Sequence, residues 1–112
     1  MIGFHLIMDG VTSDPISRKE VEGILKELPS EIGMEIIAGP LVVKGAPENP
    51  GWTGVVVIEK SHIVIHTFEE GCKASIDVFS CKHFERDHVT NYLENHIEFK
   101  KVNTRMLVRS EE

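Results

Sequence analysis

A chain of 112 residues with 41% hydrophobic and 27% charged side chains has the balance of one soluble globular domain, residues 1–112, too short to divide into two cores. Its formal net charge of −6 argues against nucleic acid as a partner, because phosphate binding draws on clustered Lys and Arg. No apolar run approaches the roughly 20 residues that span a bilayer, and the opening stretch lacks a basic n-region while holding His5 and Asp9. No membrane attachment and no signal peptide are expected, and the expected location is cytoplasmic.

GFHLIM, residues 3–8, is a short apolar strand, and the turn residues of 10–15 follow it. Ser17 and Glu20 form a capping box, the serine taking an orphan amide and the glutamate reaching back. Val21, Ile24, Leu25 and Leu28 place one apolar stripe on the helix they open, and Pro29 is expected to close it. A second strand is expected over residues 34–43, interrupted by Gly39 and Pro40. GAPENPGWTG, residues 45–54, is a loop of stiff turns. VVVIEKSHIVIHTFEE, residues 55–70, begins as a buried strand and is interrupted by Glu59, Lys60, Ser61 and His62. Residues 69–71 turn the chain. Ala74, Ile76 and Val78 then alternate with Ser75, Asp77 and Phe79, which makes a hairpin with the preceding strand. A second amphipathic helix covers 84–96, with Val89, Tyr92, Leu93 and Ile97 inward. The last strand, 102–108, has Lys100, Lys101, Arg105 and Arg109 on a solvated face. The order β-α-β-β-β-α-β predicts an α+β two-layer sandwich, a mostly antiparallel sheet with two helices on one face.

The residue types exclude several chemistries. His62 and His66 share a face of an extended segment but stand roughly 13 Å apart, at about 3.3 Å per residue, so one metal ion cannot take both. The β-branched residues between them disfavour a metal-binding helix. His83, His88 and His96 fall on or beside the second helix as surface residues, and no metal is expected. Ser61 lacks the flanking glycines of a nucleophile elbow, and the glycines at 51 and 54 have neither the spacing nor the lysine of a phosphate loop. Cys72 and Cys81 are expected as two reduced thiols. Ser61, His66 and Cys81 remain. From the residues alone they are either chemical groups or a bulge-marking serine, a satisfied histidine and a small hydrophobe.

Residues 54–67, GVVVIEKSHIVIHT, followed by residues 75–81, SIDVFSC, resemble the small prokaryotic S-adenosylmethionine decarboxylases. Those carry a Ser-His step on a strand, an I-H-T-x-P-E segment and a D-x-F-T-C strand in this order and at these separations. Gly3, His5, Leu6 and Asp9 extend the resemblance to the first strand. It implies self-cleavage between Lys60 and Ser61 into chains 1–60 and 61–112. Ser61 would be converted to a pyruvoyl group whose ketone takes up the substrate amine as a Schiff base. His66 is implied in processing, as a base near neutrality, and Cys81 as the proton donor to the decarboxylated carbanion. Glu70, Thr53 and Phe68 are implied as substrate-binding residues, Thr53 near the cleavage site. The implied substrate is S-adenosylmethionine, its product an aminopropyl donor for spermidine synthesis. The implied assembly is a homodimer paired through its sheets, with each site drawing on both protomers.

The chain departs from the pattern at Lys60, where glutamate is common, at Phe68 and Glu69 in place of Trp-Pro, and at Lys82 in place of glycine. The loop before the cleavage strand, where the family has an adenine-stacking aromatic, holds Pro47, Asn49 and Pro50, with Trp52 the nearest aromatic. A relative acting on arginine or another amino acid, or an uncleaved binding homologue, remains an alternative. The model also carries a geometric demand. Ser61 and His66, five apart on a regular strand, would face opposite ways, so a turn or irregularity is needed at residues 59–61.

Overall fold

The computed structural model describes residues 1–112. Its order is β1 (Gly3–Thr12), α1 (Arg18–Glu31), β2 (Ile36–Lys44), β3 (Trp52–Ile58), β4 (Ser61–Phe68), β5 (Lys73–Ser80), α2 (Arg86–His96) and β6 (Phe99–Arg109). The strands form one six-stranded sheet in the order β2-β3-β4-β5-β1-β6, every neighbour antiparallel.

This is the expected two-layer α+β architecture with one strand more than the sequence suggested. Glu59 and Lys60 are a two-residue turn, and Ser61 pairs with Ile58 across it. The single apolar run is therefore two strands of a hairpin. Two adjacent charged side chains are poorly tolerated within a buried strand, and a solvent-facing turn accommodates both. The first helix also runs past Pro29 to Glu31. The Glu27 carbonyl receives the Ser30 hydroxyl at 2.7 Å, and Gly33, at φ 70°, makes the terminating left-handed turn.

Alternation sorts the strands into two faces. Inward lie Leu6 and Met8 of β1, Val56 and Ile58 of β3, Ile63 and Ile65 of β4, and Ile76 and Val78 of β5, all fully buried. The helices cover this face with Val21, Leu25, Leu28, Val89 and Leu93 in one continuous core, each such side chain stabilising by about 1.5–3 kcal/mol. Approach is closest where α1 crosses β3. A Cβ on Gly54 would stand 2.6 Å from both Leu25 Cδ1 and Val21 Cγ1, so glycine lets the helix sit down on the strand.

No helix covers the other face, and at its β2–β4 side it is apolar. Leu41 and Val43 of β2, Val55 and Val57 of β3 and Val64 of β4 lie together there. Leu41 is 59% exposed, Val43 45% and Val57 43%. A contiguous apolar surface of this kind marks an interaction face.

Candidate active site

The first group of chemical residues lies at the β3–β4 turn. Ser61 opens β4 on its inward face and is only 6% exposed. Its hydroxyl donates to the Glu59 carbonyl at 2.8 Å and accepts the Cys81 amide N–H at 2.9 Å. The Cys81 thiol, just past the end of β5, donates to the same Glu59 carbonyl at 3.3 Å. Antiparallel pairing of β4 with β5 brings these groups together, because His62 stands opposite Phe79 and the start of one strand meets the end of the other. Lys60, whose carbonyl precedes Ser61, holds a left-handed φ of 48°.

The second group lies at the other end of the same strands. Thr53 and His66 are register partners on the open face, and Thr53 Oγ1 is 2.9 Å from His66 Nδ1. That bond leaves Nε2 as the ring nitrogen free to exchange a proton with another group. Phe68, 36% exposed, follows on the same face, and exposed Glu70 stands in the β4–β5 turn. The loop 45–51 is tied down beside them. Its own ends are joined by Gly45 N–H to the Gly51 carbonyl at 2.8 Å, and the Glu69 N–H reaches the Pro50 carbonyl at 3.0 Å. Trp52 N–H adds a bond to the Thr67 hydroxyl at 2.8 Å.

Within one chain the two groups do not meet. Five residues of strand separate Ser61 from His66 by roughly 16 Å, and the side chains leave on opposite faces, Ser61 inward and His66 outward. The turn at Glu59 and Lys60 precedes Ser61, so it cannot change the parity between Ser61 and His66. Thr53, expected near the cleavage site, instead lies at the far end with His66, because the hairpin pairs it there and pairs Ile58 with Ser61.

Sequence reasoning missed the continuity of the polar row to which His66 belongs. Asn103, Asp9, Ser75, His66 and Thr53 are successive register partners across five strands. Alternation predicts each as outward, but only the register puts them in line. A cavity of about 520 Å³ opens along this row, lined by Asp9, Phe68, Lys73, Ser75, Lys101 and Asn103. A further open-face cluster also went unseen. His5 Nε2 lies 2.9 Å from Asp77 Oδ1, while the Arg109 guanidinium lies 5.0 Å over the Phe79 ring and His62 packs on that ring at 5.5 Å. Burial lowers the His62 pKa, the neighbouring His5 and Arg109 add to this, and Asp77 opposes it.

The remaining histidines serve the surface and the helices. His83 meets Phe4 edge-on, His88 bonds Glu31 at 2.8 Å, and His96 stacks on Tyr92 within 3.4 Å of Glu27. No three His, Cys, Asp or Glu side chains stand together as metal ligands. Cys72 and Cys81 are both free thiols. No helix is long and apolar enough to cross a membrane.

Residues 5–110 match the family model described as S-adenosylmethionine decarboxylase. The chain is 33% identical over 111 residues to an S-adenosylmethionine decarboxylase proenzyme of Clostridium botulinum strain Langeland, covering 96% of this chain and 93% of that one. A Geobacillus sp. WCH70 protein of the same name is 46% identical over 50 residues, 45% of this chain and 39% of the other. Among solved structures, the adenosylmethionine decarboxylase of Aquifex aeolicus VF5 superposes with a TM-score of 0.77 at 26% identity, covering 99% of this chain and 95% of that one.

Proposed function

The chain belongs to the S-adenosylmethionine decarboxylase family, and from that premise we propose that it cleaves itself between Lys60 and Ser61 and then decarboxylates S-adenosylmethionine at a site shared between two copies. The observation that carries the proposal is the Ser61 hydroxyl, buried and held between the Glu59 carbonyl and the Cys81 amide at the β3–β4 turn. A structural serine at a turn needs no thiol at its shoulder; here Cys81 Sγ shares its acceptor.

Cleavage proceeds by exchange of acyl bonds. The bond from Ser61 Oγ to the Lys60 carbonyl carbon forms as the bond from that carbon to the Ser61 nitrogen breaks, and the hydroxyl proton passes to the nitrogen. Loss of the Ser61 Cα proton then expels the Lys60 carboxylate from Cβ. Water replaces the resulting enamine nitrogen, and ammonia leaves. The products are chain 1–60 and a chain 61–112 headed by a pyruvoyl group. That group supplies an electron sink for the carbanion left by carbon dioxide. Cys81, beside it, holds the proton that the carbanion takes up.

His66 cannot serve Ser61 of its own chain, and a second copy resolves this. Antiparallel stacking of two open sheet faces sets the Thr53–His66 end of one copy over the Lys60–Ser61 turn of the other, so that the imidazole approaches the backbone of that turn from the open face while the Ser61 hydroxyl lies inward. It also covers the exposed Leu41, Val43 and Val57. In that arrangement Thr53 orients the imidazole that moves the processing proton, and Phe68 and Glu70 close the far side of the substrate, Glu70 accepting from ribose hydroxyls. Such a protein needs no membrane and no nucleic acid and is at home in the cytoplasm.

Intact mass tests the reading. Purified protein should give two chains meeting at Lys60 and Ser61, the second beginning with pyruvate, and should release CO₂ from carboxyl-labelled S-adenosylmethionine but not from arginine. An unbroken wild-type chain would sink the proposal, and release from arginine alone would reassign the substrate.

A further inference from the structure

We infer that Lys60 drives its own cleavage through the backbone conformation it is forced to hold, independently of its amine. The inference rests on the self-cleaving decarboxylase reading and deepens it.

Lys60 and Cys72 are the two residues other than glycine with positive φ. The left-handed region brings an L-residue's Cβ too close to its carbonyl oxygen, which glycine alone escapes. Two-residue hairpin turns matched to strand twist place positive φ at the first position and recruit Gly or Asn there. This turn does neither. Of its two residues only the second, a lysine, has positive φ, and that lysine carries the carbonyl that Ser61 must attack.

Both neighbours hold it in place. The Glu59 carbonyl accepts the Ser61 hydroxyl at 2.8 Å and the Cys81 thiol at 3.3 Å. Ser61 is fixed by pairing with Ile58 and by the Cys81 N–H on its oxygen at 2.9 Å. Lys60 bridges two anchored residues, so it cannot relax while the chain is whole. Strain held by its surroundings at a reacting bond is a recurrent device of functional sites. As the bond from the Lys60 carbon to the Ser61 nitrogen breaks, Lys60 stays joined to Ser61 only through the longer ester link to Oγ, which no longer fixes its φ, and elimination then frees it as a chain end. The strain is present in the intact chain and absent after acyl transfer, so it favours the forward step.

Two variants separate conformation from side-chain chemistry. Lys60→Ala and Lys60→Gly both lack the amine, but alanine keeps the strained Cβ and glycine does not. Cleavage, followed by intact mass from the moment of synthesis, should run about fivefold slower in Lys60→Gly than in Lys60→Ala. A second measurement uses the uncleavable Ser61→Ala background, where adding Lys60→Gly should give a Tm roughly 2–4 °C above adding Lys60→Ala. The two readouts move in opposite senses, the more stable precursor being the slower to mature. A residue that merely kept the turn folded would move them together. Equal cleavage by the two variants, or a glycine precursor no more stable than the alanine one, overturns the inference and leaves the decarboxylase reading intact. A wild-type chain that stays whole overturns that reading, and this inference with it.

Discussion

His62 stands next to Ser61 in sequence but takes no part in its contacts. Its ring packs on Phe79, and burial, with His5 and then Arg109 beside it, holds its pKa below the ordinary 6.5 against the pull of Asp77. The folded chain therefore binds this proton less readily than the unfolded chain. As pH falls through 6.5 the unfolded state gains the proton first, and stability declines until the folded pKa is passed. We expect His62→Gln to flatten the loss of Tm between about pH 7 and 5.5; an unchanged slope would assign that loss to other groups. Cys81 makes a different prediction. Cys81→Ala keeps the amide that holds Ser61 and removes only the thiol, so it should cleave fully yet lose about 10²-fold or more in decarboxylation. Failure to cleave would give the thiol a processing role as well. Neither the half-buried ring nor the shared Glu59 acceptor is written in the local sequence, since both depend on which strands become neighbours. The parity of positions 61 and 66 is written there, and it already placed their side chains on opposite faces.

The hairpin β3–β4 shows how far an element can be read in advance. A turn near residue 59 is present, but it precedes Ser61 and leaves Ser61 and His66 on the opposite faces it was expected to reconcile; the apolar residues were legible. The count of strands was not, because an uninterrupted buried strand and a tight hairpin share the same run of valines and isoleucines until a register is chosen. The helix α1 was more legible, because its capping box is a local device: Glu20 N–H to Ser17 Oγ at 3.1 Å and Ser17 N–H to Glu20 Oε1 at 3.0 Å. Where α1 lands was not legible, and Gly54 decides it. Gly54→Ala inserts a methyl between Val21 and Leu25, and overpacking of this kind costs about 1–3 kcal/mol. Chemical denaturation of the uncleaved Ser61→Ala chain should report that loss. No loss would mean that the helix shifts freely on the strand.

For the whole molecule the decisive quantity is the roughly 16 Å between Ser61 and His66. Two defective chains should repair each other if the site is shared. Ser61→Ala has an intact His66, and His66→Ala has an intact Ser61, so neither should mature properly alone. In a mixed pair, the Lys60–Ser61 turn of the His66→Ala chain lies beside the good imidazole of its mate. Co-expression should cleave the His66→Ala chain and restore one working site per pair, read as fragment mass and CO₂ release. No gain over the separate variants would place both groups in one chain, against the geometry.

The same separation has a consequence for supply. On the proposed reading each chain cuts only itself, yet it needs a second copy to do so. Maturation then follows the square of the concentration whenever copies are scarce, and becomes proportional once nearly all are paired. Halving synthesis in the scarce regime would leave about a quarter of the cleaved product. A gene of this kind turns a gradual change in expression into a steeper change in activity, with no regulator beyond the protein's own encounter rate.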